Sequence, residues 1–307
     1  MSKILDIIIP HYREGEAVIK KLLDSIAFQQ KVDFDSIGVI IANDGFEVTL
    51  SQEFLDSYPF SIKYILHTHQ GIGLTRQFGL DYSTADYVMF CDDDDMFNSV
   101  YGLFVILTAI KHEGGDGVIS PFYEELENKL AIHRNKEIYV HGKVFRRNFL
   151  IENNIRWHPN LPFSEDVYFV SLAICLAKKI LAVDVIFYSW CNNSKSASRQ
   201  PQFMGKIYEH VIDSNVYLIE DLMAHNEVEH AHQTFIDFVI SSYYAFHRSE
   251  WWEGLENKKE DMELCIARVY KRYRDWFNYE DFRITRESPL VPYEFLEKWI
   301  DELIERI

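Results

Sequence analysis

Positive charge is in short supply in this chain of 307 residues: 31 lysines and arginines face 48 aspartates and glutamates, a formal net charge of -17. Such a surface repels polyanions, which excludes non-specific binding to nucleic acid or anionic membrane, and no nucleic-acid partner is expected. A nucleotide is still bindable where a metal ion or local arginines offset its phosphates. Cysteine is also scarce. The four present (Cys91, Cys175, Cys191, Cys265) show no C-x-x-C spacing and no dense framework, which excludes a disulfide scaffold and points to reduced thiols in the cytosol. Long apolar runs are missing too. The first apolar run, Ile7-Ile8-Ile9, is stopped by Pro10 and is too short for a signal peptide. The most apolar later stretch, 167–190, is broken by Lys178, Lys179 and Asp184, so no transmembrane segment is expected. There is no internal repeat and no low-complexity tract. The expected location is cytoplasmic, either free or peripheral at a membrane.

What remains is an ordinary globular composition, 48% hydrophobic and 26% charged, in a chain long enough for one large domain or two smaller ones. Over the first 120 residues, short β-branched runs alternate with amphipathic stretches. Ile7-Ile8-Ile9, Val39-Ile40-Ile41 and Tyr64-Ile65-Leu66 read as buried strands, joined by Tyr87-Val88-Met89-Phe90 and Val118-Ile119. Val18, Leu22 and Ile26 share a helical face between the first two, a helical segment spans 73–82, and Leu103, Leu107 and Ile110 mark another helix. This alternation predicts an α/β fold, a mostly parallel sheet with helices on both faces, whose ligands sit beyond the carboxyl ends of the strands. Three polar clusters fall there: His11-Tyr12-Arg13, Asn43-Asp44-Gly45 and the four aspartates at 92–95.

From 122 to 138 the pattern is a polar loop or hairpin. A helix is expected near Ser164, with Phe169, Leu172, Ala173 and Leu176 on one face. Beyond Arg199 only helical spacing persists: Leu218 and Leu222; Phe235, Val239, Tyr243 and Phe246; Met262, Ile266, Val269 and Tyr273; Leu296, Ile300 and Leu303. The expected organisation is therefore residues 1–199 as an α/β domain (a nucleotide-binding half at 1–120 and an acceptor half at 121–199) and 200–307 as a helical unit.

Four consecutive carboxylates after a buried strand repel one another unless a cation is present. The alternative is a solvated acidic loop or acidic caps for the following helix. Asp92 and Asp94 are spaced to put both carboxylates on one side of an extended chain. Hard oxygen ligands of this kind suit Mg²⁺ or Mn²⁺ bridging to a diphosphate.

The stretch Gly71-Ile-Gly-Leu-Thr-Arg-Gln-Phe-Gly79, followed by Ala85-Asp-Tyr-Val-Met-Phe-Cys-Asp-Asp-Asp-Asp95, resembles the central pattern of glycosyltransferase family 2. Ile9-Pro10-His11-Tyr12 resembles its entry, Asn43-Asp44-Gly45 its D-D-G turn, and His141-Gly-Lys-Val-Phe-Arg-Arg147 with Ser164-Glu165-Asp166 its later half. The matches cover about residues 4 to 199. The resemblance implies a GT-A (Rossmann-like) fold and an inverting transferase that takes its sugar from a UDP-sugar. It implies nucleotide contacts at Pro10, Tyr12, Asp44, Arg76, Asp92 and Asp93, with Asp44 on the nucleobase and Asp92 on the ribose. The metal, Mn²⁺ or Mg²⁺, falls to Asp94 and the catalytic base to Asp166. Glu165, His141, Lys195 and Arg199 are further donor or acceptor contacts. The sequence departs from the family at Arg13, Asn43, Thr75-Arg76-Gln77 and Ala85, none of them a proposed catalytic carboxylate.

An inverting displacement needs a carboxylate across from the donor to take the acceptor's proton, and Asp166 suits that role. Read structurally, Ser164 is an N-cap and Glu165 and Asp166 are first-turn acids favoured by the helix dipole. His141 has an additional metal ligand or a purely structural role as alternatives. Lys143, Arg146 and Arg147 either face donor phosphates or solvate a surface. The segment 194–199, which holds Lys195 and Arg199, is either a lid over the diphosphate or a polar linker. Of the tail tryptophans, Trp251-Trp252 is the pair expected outside the core, since adjacent helical residues cannot share one face. It marks an acceptor or subunit contact, which leaves an oligomer through the C-terminal helices open. The acidic tail disfavours a polyanionic acceptor there. A glycan, a polymer, a lipid-linked glycan or a protein are the acceptor classes considered. Two competing functions are a nucleotidyltransferase, which the glycine-poor acidic loop after the first strand disfavours, and an inactive sugar-binding scaffold, which would not need these carboxylates.

Overall fold

A computed structural model describes residues 3–45, 47–134, 138–193, 204–247, 252, 256–276 and 293–307. The chain separates into two compact units, Met1–Ser194 and Lys195–Ile307.

In the first unit, β1 (Leu5–His11) and β2 (Ile37–Asn43) are buried along their whole length, as continuous β-branched runs require in the middle of a sheet. They run parallel, with Ile8 opposite Ile40 on one side and Phe90 of β4 (Tyr87–Phe90) on the other. With β3 (Ser61–Leu66), β6 (Gly117–Ile119), β9 (Lys143–Arg146) and β10 (Ile180–Ala182) they form a seven-stranded sheet of order β10-β6-β9-β4-β1-β2-β3. The helices of this unit are α1 (Glu16–Ala27), α2 (Gln52–Asp56), α3 (Ile72–Tyr82), α4 (Gly102–Glu113), α5 (Arg147–Glu152) and α6 (Glu165–Leu176).

Two strands differ from expectation. β3 is not a buried run: it is the edge strand, and its residues alternate between exposed and half-covered. β9 is a buried strand where the sequence suggested cations facing either donor phosphates or solvent. It runs antiparallel to both β4 and β6 because it returns from the second sheet. Lys143 lies buried on it, its ammonium bonded to the carbonyls of Tyr139 and His141, and Arg146 pairs with Asp116 at 2.7 Å. Neither is a free cation for a phosphate.

The segment 122–133 is the expected hairpin, β7 (Phe122–Leu126) and β8 (Lys129–His133). It belongs to a four-stranded sheet of order β5-β11-β7-β8, with β5 (Met96–Phe97) following the acidic turn directly and β11 (Tyr188–Trp190) in the middle.

The second unit is helical in its described residues: α7 (Met204–Ala224), α8 (Val228–Phe246), α9 (Glu256–Arg272) and α10 (Tyr293–Ile304). Leu218, Leu222, Phe235, Val239, Phe246, Met262, Ile266, Leu296, Ile300 and Leu303 form its core. Trp252 is core rather than an exposed anchor. It stacks on Phe246 at 4.8 Å and its indole N–H donates to the Ala245 carbonyl, so both its apolar body and its polar handle are used. Trp251 lies outside the described residues. No helix among the described residues is long and apolar enough to cross a membrane. No disulfide joins the four cysteines, all of which lie among the described residues.

One contact sets the height of α3 above the sheet. A Cβ on Gly79 would sit 2.4 Å from Ile8 Cγ2, so only glycine lets this helix rest directly on β1. Gly79→Ala is expected to destabilise the protein by about 1–3 kcal/mol through overpacking. Urea unfolding measures it; a midpoint equal to the parent's would show that α3 does not need this approach.

Candidate active site

β1, β2 and β4 end at one edge of the large sheet, which gathers the three polar clusters. His11 lies in register opposite Asn43, and the backbone N–H of Asp44 donates to the His11 carbonyl at 2.7 Å. The Asp44 carboxylate is buried and accepts from the N–H groups of Gln70 and Gly71 at 2.7 and 2.9 Å and from His69 Nδ1 at 2.9 Å. It therefore shapes the turn into α3, where Gly71 takes a φ of +93° that favours glycine. Tyr12, exposed at the end of β1, stacks on His69 at 4.6 Å, and Arg13 lies over the Tyr12 ring. Pro10 is buried in β1 beneath them.

Each aspartate of the turn at 92–95 has a different partner. Asp92 Oδ1 accepts from Arg76 at 2.6 Å. Asp93 Oδ2 lies 2.7 Å from His11 Nδ1, whose Nε2 contacts Thr49 at 2.9 Å. Asp94 Oδ2 accepts from Asn193 at 2.7 Å. Asp95, fully buried, accepts from the Tyr188 hydroxyl and the Cys191 N–H. Burial pushes the carboxyls of Asp93, Asp94 and especially Asp95 up, while Asp92 is held low because Arg76 and His141 beside it outweigh its desolvation.

The ligand-bearing atoms that converge are those of Asp92, Asp95 and His141, all within 4.8 Å of one another. Asp94 sits in the same turn but is not part of this triplet, and the sequence reading does not single out Asp95. The missing signal is long-range: the turn folds back on itself so that positions 92 and 95 face the same point, and the segment leading into β9 delivers His141 from far along the chain. His141 is buried, and burial pushes it down to about 4, so it is a neutral imidazole at pH 7. Its Nδ1 is buried without a hydrogen-bond partner and lies 3.8 Å from Asp95 Oδ2. An orphaned imidazole nitrogen beside two desolvated carboxylates fits a divalent cation, whose charge would relieve both costs.

Arg76 connects this turn to the start of α6. Projecting from α3, its buried guanidinium donates to Asp92 at 2.6 Å and to Glu165 at 2.7 Å, and lies 4.9 Å from the centre of the Trp157 ring. Its Nε is buried with no partner. Glu165 and Asp166 open α6. Ser164 precedes them at the N-cap position, but its φ of +58° is left-handed and its hydroxyl makes no capping bond, so the helix start is held by Arg76 rather than by a serine cap. Burial raises the Glu165 carboxyl despite Arg76. Asp166 is pushed up to about 7, first by burial and then by the adjacent Glu165 charge, with Arg76 opposing. Lys195 and Arg199 lie outside the described residues.

The architecture is a GT-A fold with an added helical unit. Residues 6–170 match Glycosyl transferase family 2, and the chain belongs to that family. Among curated proteins it is 28% identical over 197 residues to the minor teichoic acid biosynthesis protein GgaB of Bacillus subtilis (strain 168), covering 56% of this chain and 21% of that protein. It is 25% identical over 205 residues to the poly(ribitol-phosphate) beta-glucosyltransferase of Bacillus spizizenii, covering 60% and 32%. The chain thus spans a fifth to a third of these relatives. Among solved structures, S. aureus TarS 1-349 in complex with UDP superposes with a TM-score of 0.71 at 17% identity, covering 98% of this chain and 89% of that one. The same fragment is also known with UDP-GlcNAc. Family membership sets nucleotidyl transfer aside.

Removing Arg76 leaves two buried carboxylates unpaired, so Arg76→Ala is expected to cost about 3–5 kcal/mol at neutral pH, and less in acid where both carboxyls protonate. Chemical denaturation at pH 7 and pH 4 measures the difference; a loss under 1 kcal/mol at pH 7 would show that the bridge holds little.

Asp166 makes a second prediction. Its proton is held more tightly in the folded protein than at the ordinary value of 3.8, so the stability it contributes is complete below pH 4 and lost as pH rises through about 7. Asp166→Asn, which has no proton to lose, should therefore gain stability relative to the parent across that window. A stability difference that stays flat from pH 4 to pH 8 would contradict it.

Proposed function

We propose that this protein transfers a sugar from a UDP-sugar to an acceptor hydroxyl with inversion at the anomeric carbon, assisted by a divalent cation. The observation that carries the reading is the buried Arg76 fork, which ties Asp92 of the acidic turn to Glu165, the neighbour of Asp166 at the start of α6. One rigid guanidinium sets the spacing between the two carboxylate groups that a single displacement requires.

In this reading the Tyr12–His69 ring pair and the turn shaped by Asp44 receive the nucleobase, above Pro10, and Asp92 and Asp93 lie along the ribose and diphosphate. The cation, Mn²⁺ or Mg²⁺, would be held by Asp92, Asp95 and His141 with Asp94 approaching from the same turn, and would supply positive charge to the departing diphosphate. Asp166, its pKa raised to about 7, takes the proton of the acceptor hydroxyl as that oxygen bonds to the anomeric carbon. The bond from that carbon to the β-phosphate oxygen breaks on the opposite face, and its electron pair leaves with UDP. Glu165, bound to Arg76, keeps the base oriented. The relatives' names support a cell-surface polymer of the teichoic-acid type as acceptor, used by an enzyme working in the cytosol or peripherally at the membrane.

Turnover of a panel of UDP-sugars with Mn²⁺ and a polyol-phosphate polymer, with the product anomer assigned by NMR, tests the reading. Retention of configuration, or no UDP release from any donor, would reject it. Asp166→Asn is expected to keep its fold and UDP binding while losing about 10²–10⁴-fold in turnover, and the parent's kcat/KM should fall tenfold per unit below about pH 7. A profile flat down to pH 5 would remove Asp166 from the base role.

A further inference from the structure

One buried residue touches every member of the Asp92, Asp95 and His141 cluster. Tyr188 is fully buried in β11, the strand between β5 and β7. It lies in register opposite Phe97, two residues past the end of the acidic turn, and opposite Phe122. Its hydroxyl accepts the backbone N–H of Asp92 at 3.2 Å and donates to Asp95 Oδ2. Because a backbone N–H can only donate, the hydroxyl proton is committed to Asp95. Its ring stacks on the His141 imidazole, 5.2 Å between centres and 25° from parallel, and Trp190, on the same face of β11, stacks on that imidazole at 5.1 Å and 29°. The second oxygen of Asp95 is held by the Cys191 N–H at 2.8 Å, so both carboxylate oxygens are fixed by one short segment, β11 and the residue after it.

We propose that Tyr188 is a positioning residue for the divalent cation: one side chain that holds the Asp95 carboxylate, the Asp92 backbone and the His141 ring in the arrangement that would receive it. This rests on reading the triplet as the cation site. Its contribution is to metal affinity, since partners that orient ligands typically change affinity about ten- to a hundredfold when removed. Tyr188→Phe keeps the ring and its stacking while deleting only the hydroxyl bridge, so it separates orientation from packing.

The test is Mn²⁺ binding to the full chain followed by electron paramagnetic resonance, with and without UDP. We expect Tyr188→Phe to bind Mn²⁺ about ten- to a hundredfold more weakly than the parent. Tyr87→Phe is the control, because that hydroxyl donates instead to the Gly115 carbonyl at the other end of β4. It should lose a comparable hydrogen bond and leave Mn²⁺ affinity unchanged. Equal affinity in the Tyr188→Phe variant and the parent would overturn the proposal. A parent that binds no Mn²⁺ even with UDP would instead overturn the cation site itself, and the proposal with it. Should Tyr188→Phe fail to fold, the unmutated protein carrying ¹³C-labelled tyrosine answers the same question. Substoichiometric Mn²⁺ should broaden a tyrosine ring signal, and spectra in which none broadens would reject Tyr188 as a neighbour of the metal.

Discussion

A single buried guanidinium decides whether the two halves of the site belong together. Arg76 reaches Asp92 with one terminal nitrogen and Glu165 with the other, at 2.6 and 2.7 Å. A buried ion pair contributes little net stability compared with a well-packed apolar replacement, but it costs several kcal/mol to break one side of it. Its value here lies in geometry. The planar fork fixes two carboxylates that are 73 positions apart in sequence at one separation, and the Trp157 ring beneath it, itself stacked on Phe169, prevents the fork from tilting. The close seat of α3 on β1, which Gly79 permits, sets where the fork begins.

The acidic turn divides its labour in a way that composition alone cannot show. Four adjacent aspartates look equivalent on paper. In the structure each is assigned by what the topology brings to it: α3 brings Arg76 to Asp92, the end of β1 brings His11 to Asp93, and the segment after β11 brings Asn193 to Asp94 and the Cys191 N–H to Asp95. The differences in ionisation follow. Asp92, beside a cation, ionises readily; Asp95, in a wholly buried place among like charges, does not.

Much of the first unit was legible because its signals are local. β-branched triplets announce central parallel strands, and β1 and β2 lie where those triplets do, with β4 at the apolar run Tyr87-Val-Met-Phe90. Tyr64-Ile65-Leu66 carries the same apolar content, yet its burial depends on whether a further strand lies beside it, which no triplet encodes. The antiparallel β9 was illegible for a related reason. Its run, Lys143-Val-Phe-Arg146, begins and ends with cations, and the nearby carbonyls of Tyr139 and His141 together with the distant Asp116 make them tolerable in a sheet. The place of the acidic turn at this sheet edge could be read from the strand pattern. The Asp92–Asp95–His141 convergence could not, because it depends on a turn that folds back and on a strand reached through the second sheet. Trp252 illustrates the opposite error, in which a pair of adjacent aromatics suggests exposure although a buried carbonyl can satisfy the indole.

Several unfavourable features of the first unit lie at this site. Ser164, at the start of α6, holds a left-handed backbone without glycine's freedom and without a capping bond, and Arg13, beside Tyr12, is left-handed as well. Arg76 Nε and His141 Nδ1 are buried polar atoms without partners, each costing about 1–3 kcal/mol wherever a fold is judged on stability alone. A sequence selected only to pack would replace the Ser164 conformation with glycine and His141 with an apolar ring that fits between Tyr188 and Trp190. A neutral imidazole there, with two aromatic rings stacked on it and its unpartnered Nδ1 beside two carboxylates, is a cost that packing alone does not repay.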